Sequence, residues 1–357
     1  MKSKLPLPQG GIPIQNIYYL LCYAWDALAE AETIDVSLEQ SLTITDLFAR
    51  VLISGTNHLL ARGIDQDYQP QHASVSGIRG KLDLAATVKG VTWTYGRTIC
   101  TTDERGVDVT HNQIVKATLR RLATTSTLAP ALCSDATELC RRLTGVRDVT
   151  LSAISFRAVH LHRNNRLYDM LVNVCRLLYD NPFLDDTPGT ARFPDFTGTR
   201  GDMARLFEQF VYNFFAREQR VYTVRRPVIQ WHGASASATD IRMLPIMRTD
   251  VVLTSNDRRI VLDTKYYEHV FQEYRGTPKI RSTHLYQILS YLNNLSAASA
   301  ERAPSPEGVL LYPAVGERFH KPYTLLGHRV VVQSVDLNRP WRSIHQELLQ
   351  AVGLAVM

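Results

Sequence analysis

The chain changes hydrophobic rhythm about halfway along. From Asn16 to Glu32 apolar residues recur at helical spacing (Ile17, Leu20, Leu21, Ala24, Trp25, Leu28), which predicts a helix with a core-facing stripe. A second helix is expected from Asp46 towards Leu60, stopping near Gly63. "GIRGKLDLAATVKG" and "VTWTYGRTIC" then read as short strand-like runs punctuated by glycine. Helical spacing returns in "THNQIVKATLRRLAT", with Ile114, Val115, Thr118, Leu119 and Leu122 on one side. The loop "VHLHRNNR" precedes the helix of "LYDMLVNVCRLLYD" and is the expected boundary. It divides the chain into an N-terminal α+β domain, residues 1–159, and a second domain, residues 160–357.

That second part opens on a strongly apolar helix, "MARLFEQFVYNFFARE", and strands follow from "VYTVRRPVIQWHG". Two further strands surround "SNDR", then come the helix "THLYQILSYLNNL", the strands "EGVLLYPAV" and "HRVVVQSVDL", and a closing helix "WRSIHQELLQAV". Helix, antiparallel strands, crossover helix and more strands predict a mixed α/β domain, with a central mixed sheet flanked by helices.

Composition adds bounds. At 357 residues the chain exceeds one ordinary core, and 45% hydrophobic with 21% charged residues describe a globular protein. A formal net charge of +6 tilts towards a polyanionic partner. Five cysteines, an odd number without CxxC pairs, speak against a disulfide framework and a zinc knuckle. "IYYLLCYAWDALA" is the greasiest run, too short to span a bilayer and interrupted by Asp26, so it reads as a buried helix packing its own domain. No membrane association and a cytoplasmic location are expected. There is no G-x-x-x-x-G-K-[ST] string for a nucleotide, and no base-reading signature.

Candidate chemistry lies in "RTDVVLTSNDRRIVLDTKYY". Turn formers in "SNDR" predict a hairpin centred on Asn256 and Asp257. A symmetric loop there opposes Thr254 to Arg259 and, further out, Asp250 to Asp263, with Cβ atoms roughly 4.5–5.5 Å apart. The two-residue period puts Lys265 on the same face. Opposed carboxylates repel, and a divalent cation between them reverses the sign; Mg²⁺ accepts one or two carboxylates plus water and phosphate oxygens. The alternative is an ordinary hairpin whose Asp and Lys form a weak surface pair.

"TD", a turn and "VLDTKYY" resemble the PD-(D/E)xK nuclease core, with Thr249 where that superfamily usually has proline. Gln287 and Tyr291 of "YQILSY" resemble the QxxxY element of one branch, and Glu208 of "LFEQF" resembles the glutamate carried on the preceding helix. "IPIQNIYYLLCYAWD", "GIRGKLDL", "HNQIVKATL" and "IVLDTKYY" extend the likeness over almost the whole chain, which is similar to the McrC family, nuclease subunits of McrBC modification-dependent restriction systems.

The resemblance implies Asp250, Asp263 and Lys265 as catalytic, with Glu208, Gln287 and Tyr291 supporting. It implies Mg²⁺, or Mn²⁺ in its place, held by Asp250, Asp263 and Glu208. It further implies an McrB-type AAA+ GTPase hexamer as partner, engaged by the N-terminal domain, whose GTP hydrolysis the chain stimulates and which selects double-stranded DNA carrying modified cytosine. Arg79 and Lys81 are candidates for touching that partner, and Arg275, Lys279 and Arg281 for holding DNA phosphates. Pairing of two copies for double-strand cleavage is compatible with this. Two other readings stay open: a scaffold and GTPase activator with a dormant nuclease fold, and a stand-alone repair-type nuclease.

Overall fold

The first helix, α1 (Ile14–Ala24), is buried along almost its whole length. The computed structural model describes residues 12–28, 43–90, 92–159, 161, 165–180, 190–191, 200–233, 237–266, 271–274, 277–298, 304–314 and 318–354. Partners of α1 come from the second half of the chain. Asn16 Nδ2 donates to the Leu337 carbonyl at 2.9 Å, and Tyr23 OH donates to Glu218 Oε1 at 2.7 Å. Tyr19 stacks on Trp341 with ring centroids 5.0 Å apart, and Tyr23 meets Phe210 edge-on. Residues 12–28 and 190–354 accordingly form one compact unit, and residues 45–180 form the other.

Compactness therefore does not follow a single cut near Val159. The aromatic stripe of α1 does not pack the N-terminal domain, because its complement is the apolar face of two C-terminal helices. The helix of "LYDMLVNVCRLLYD", expected just past the boundary, likewise belongs to the unit of residues 45–180.

That N-terminal unit begins with α2 (Ile44–Arg62), whose span matches the expectation. A long antiparallel pair follows, β1 (Asp67–Ser76) against β3 (Arg97–Gly106), ten residues in register from Asp67↔Gly106 to Ser76↔Arg97. Between them lie the two-residue β2 (Lys81–Leu82), which pairs with β3, and the short helix α3 (Leu84–Lys89). "LAATVK" is thus helix rather than strand. Asp83 starts it, its Oδ1 accepting from Ala86 N at 2.9 Å. Gly80, at φ 76°, crosses so close to β3 that a Cβ there would sit 2.4 Å from the Thr101 carbonyl oxygen. Helices α4 (Thr110–Ala123), α5 (Pro130–Arg142), α6 (Ala153–Arg157) and α7 (Arg166–Asp180) complete the unit. Tyr168 of α7 donates to Asn112 of α4 at 2.7 Å, and the buried face of α7 packs on α4.

In the C-terminal unit, α8 (Arg200–Glu218) is followed by β4 (Thr223–Arg225), β5 (Val228–Ile229), the single turn α9 (Ala238–Ile241) and β6 (Met247–Arg248). The expected hairpin is β7 (Val251–Thr254) and β8 (Arg259–Thr264). A two-stranded ribbon, β9 (Phe271–Tyr274) and β10 (Thr277–Ile280), leads to α10 (Ser282–Ala297). Then come β11 (Pro306–Ala314), β12 (His320–Leu325), β13 (His328–Asp336) and α11 (Trp341–Ala351). The sheet order is β12-β13-β11-β8-β7-β4, with β11 parallel to both β8 and β13 and the remaining pairs antiparallel. It is the expected mixed sheet.

Helices cover both faces, which is why β8 reads as a nearly unbroken apolar run. Val261, Val252, Leu310, Val330 and Val332 pack with Ile288, Tyr291 and Leu292 of α10 on one side. Ile260 and Leu262 are buried on the other, the side that α8 approaches. Gly308 lets α10 come close, since a Cβ there would lie 3.0 Å from both Ile288 and Leu292 side chains. All five cysteines are free. Among the described residues, no helix is long and apolar enough to cross a membrane.

Candidate active site

The hairpin closes where the turn formers stand. Ser255 N donates to the Arg258 carbonyl at 2.9 Å, and the ladder runs from Thr254↔Arg259 to Val251↔Leu262. This is the register expected from a loop of Asn256 and Asp257. Asp250 and Asp263 are its next pair, but the ladder ends one step short of them. Asp250 instead turns its Oδ2 to the following residue, accepting from Thr264 N and Thr264 Oγ1, each at 2.7 Å. The middle position of D-T-K is therefore an anchor for the first acid, which its sequence role as an unspecified residue conceals.

Asp263 is only 1% exposed, at the carboxyl end of β8 beside Leu310 of the parallel neighbour. Lys265 N donates to the Leu311 carbonyl at 2.9 Å, holding the strand in place past its last ladder residue. Lys265 Nζ pairs with Asp263 Oδ2, yet among the described residues neither Asp263 oxygen receives a hydrogen bond of regular geometry. Burial pushes the Asp263 pKa up to about 7; Lys265 pulls it down, while Asp250 and Glu208 push it further up. A weak surface pair is thereby excluded, because this carboxylate sits in the core.

Glu208, on α8, also feels the cluster. Burial, then the Asp250 charge, raises its pKa, with Arg226 and Lys265 opposing. Arg226 holds it: Nη1 lies 3.5 Å from Glu208 Oε1 and 3.0 Å from Gln209 Oε1, and the guanidinium lies over the Tyr212 ring. Arg226 escapes the sequence reading, where "VYTVRRPVIQWHG" is strand alone.

Gln287 and Tyr291 meet as their i, i+4 spacing predicts. Gln287 Nε2 donates to Tyr291 OH at 2.7 Å, and Tyr291 OH donates to the Arg248 carbonyl at 2.8 Å. The pair thus fixes the backbone two residues before Asp250. Thr249 Oγ1 donates to the Pro227 carbonyl at 3.0 Å and secures the intervening residue. His284, one turn earlier on α10, is a further neighbour. It is buried, its Nδ1 is 2.7 Å from Tyr312 OH, and burial with the Lys265 and Arg281 charges holds its pKa down to about 4. Its place three residues before Gln287 on the same helical face was the available signal.

Of the phosphate-holding candidates, Lys279 is exposed on β10, Arg281 stands at the N-cap of α10, and Arg275 lies outside the described residues. Arg79 and Lys81 are exposed in the other unit, beside Gly80.

The donor set suits a hard cation in its chemistry: two close carboxylates, one buried without regular hydrogen-bond donors. Glu208 remains with Arg226, and among the described residues no three His, Cys, Asp or Glu side chains are gathered as a metal cluster. Two protein carboxylates nonetheless match what Mg²⁺ usually takes, the rest being water and substrate oxygens.

The family described as "McrBC 5-methylcytosine restriction system component" matches residues 11–313. The type IV methyl-directed restriction enzyme EcoKMcrBC of Escherichia coli K12 is 32% identical over 343 residues, 96% of this chain and 98% of that protein. Among solved structures, a chain from a half-complex of Thermococcus gammatolerans McrB AAA+ hexamers with bound McrC aligns with a TM-score of 0.54. It shares 17% identity and the alignment covers 95% of this chain and 76% of that one, a likeness of fold.

Proposed function

The chain belongs to the McrBC family of 5-methylcytosine restriction system components, and from that premise we propose that it is the DNA-cleaving subunit of a modification-dependent restriction complex. The observation that carries the reading is the buried Asp263 carboxylate, paired with Lys265 and flanked by Asp250 at the end of the central sheet.

Asp250 and Asp263 would hold Mg²⁺, for which Mn²⁺ could substitute, with Glu208 as the third acid. When bound, the ion supplies Lewis acidity to the scissile phosphate and lowers the pKa of a coordinated water. The chain's own residues do the positioning. Thr264 and the Gln287–Tyr291 pair hold Asp250 and the backbone before it. The Lys265 ammonium orients the attacking water and offsets negative charge growing on phosphorus. Water adds oxygen to phosphorus, the bond to one sugar oxygen breaks, and that oxygen leaves with a proton.

The chain itself has no P-loop string with which to hold GTP. GTP belongs to an McrB-type AAA+ hexamer, which selects double-stranded DNA with modified cytosine and whose hydrolysis this chain stimulates. In the N-terminal unit Arg79 and Lys81 are exposed, and so are the apolar Ile78, Leu84, Trp93 and Tyr95. Exposed large apolar side chains beside cations in the sequence fit a protein contact. Pairing of two copies would place two such sites on opposite strands.

The test is cleavage of methylated and unmethylated plasmid with and without the partner GTPase, GTP and Mg²⁺. Cutting that needs all four conditions and vanishes in Lys265→Ala, while GTPase stimulation persists in that variant, is the expected result. Stimulation without any cutting would leave a scaffold, and cutting without the partner would leave a stand-alone nuclease.

A further inference from the structure

The ribbon of β5 and β6 pairs Val228 with Arg248 and Ile229 with Met247, and ends two residues before Asp250. Over it lies an open cavity of about 380 Å³, within the size range of small-ligand pockets. Its lining includes Trp231, Ile241, Arg242, Leu244, Ile246 and Arg248, and contains no acidic residue. The apolar members face solvent: Trp231 is 38%, Ile241 41% and Ile246 66% exposed. Trp231 Nε1 donates to the Pro245 carbonyl at 2.8 Å, so the indole's polar edge is already satisfied.

We infer that this cavity binds an unpaired nucleotide of the DNA strand next to the scissile phosphate. Apolar and aromatic walls suit a base face, which a paired and stacked duplex does not offer. Two guanidinium groups without a competing carboxylate suit the phosphate attached to it. Position supplies the third argument. Arg248 and Asp250 are separated by two residues, about 7 Å of extended chain, so a strand with one phosphate at Asp250 brings its neighbour over the cavity. The purpose assigned to the site rests on the nuclease reading; the binding chemistry does not.

The experiment uses the full chain in EDTA, so that nothing is cut, with a fluorescein-labelled twelve-nucleotide oligo-dT and a duplex of the same length, read by anisotropy. Trp231→Ala should weaken oligo-dT binding by about fivefold to a hundredfold, the range for losing one base–aromatic stack. Trp231→Phe should restore most of it, a rescue that a merely structural tryptophan would not show at this ligand. Arg242→Ala should weaken binding and reduce the slope of log affinity against log salt by about 0.7, the value for one phosphate on a single strand. Oligo-dT affinity and salt slope unchanged in Trp231→Ala and Arg242→Ala would overturn the inference. So would loss of self-association or of partner binding in those variants with oligonucleotide affinity intact, which would make the face a protein interface. Cleavage with Mg²⁺, partner and GTP is assayed in parallel. No cutting alongside Trp231-dependent binding would sink the nuclease reading and leave the nucleotide site standing.

Discussion

Asp263 is where residue chemistry and stability meet. Its pKa of about 7 in the fold lies far above the unfolded value near 3.8. The folded state therefore holds one more proton than the unfolded chain between these limits. Metal-free stability should fall by roughly 1.4 kcal/mol per pH unit from pH 4 towards 7, then level off. Denaturant midpoints measured in EDTA across that range check the slope, and Asp263→Asn should flatten it. Added Mg²⁺ should recover stability at pH 8, because a bound cation stabilises the ionised carboxylate. Lys265→Ala removes the ammonium paired with this buried carboxylate. Its cost should be small at pH 5, where Asp263 is protonated, and larger by about 1.4 kcal/mol at pH 8, the limit set by reprotonating a carboxylate whose pKa is about 7. A pH-independent cost would contradict this placement of the lysine.

At the scale of elements, α10 is the brace of the site. Tyr291→Phe leaves the ring in the core and deletes one hydroxyl, so it should cost about 1 kcal/mol of stability. Cleavage should drop more, about tenfold or beyond, because the backbone before Asp250 loses its tie and small displacements are expensive in rate. Single-turnover rates at saturating DNA read this directly, and a rate equal to wild type would remove the QxxxY pair from the machinery. In the other unit, Gly80→Ala meets both a left-handed φ and the Thr101 carbonyl. It should destabilise the β1–β3 pairing and abolish GTPase stimulation by the full chain, while a Lys81→Ala surface change reduces stimulation without shifting the melting temperature.

For the whole molecule, the placement of α1 sets what can be separated. Residues 45–180 hold together as a unit, so a fragment with those limits should fold and carry the partner-stimulating surface. Residues 160–357 alone should not behave as a domain. They would lack the aromatic helix that covers Phe210 and Trp341, and would carry α7 without its packing partner α4. Circular dichroism melts of the two fragments decide the point, and a cooperative melt from residues 160–357 would refute it.

Much of this was legible along the chain, and the reason is locality. The hairpin register follows from four turn residues and a period of two. The meeting of Gln287 with Tyr291 follows from helical pitch, and the mixed sheet from the order of apolar runs. What failed were elements whose stability has no local signature. Strand β1, "DYQPQHASVS", carries proline and mostly polar residues, so no apolar run marks it. Arg226 joins the site only through packing between distant segments. The partner of α1 was undecidable for the same cause. An aromatic stripe announces burial, but only the folded chain chooses which apolar face it covers.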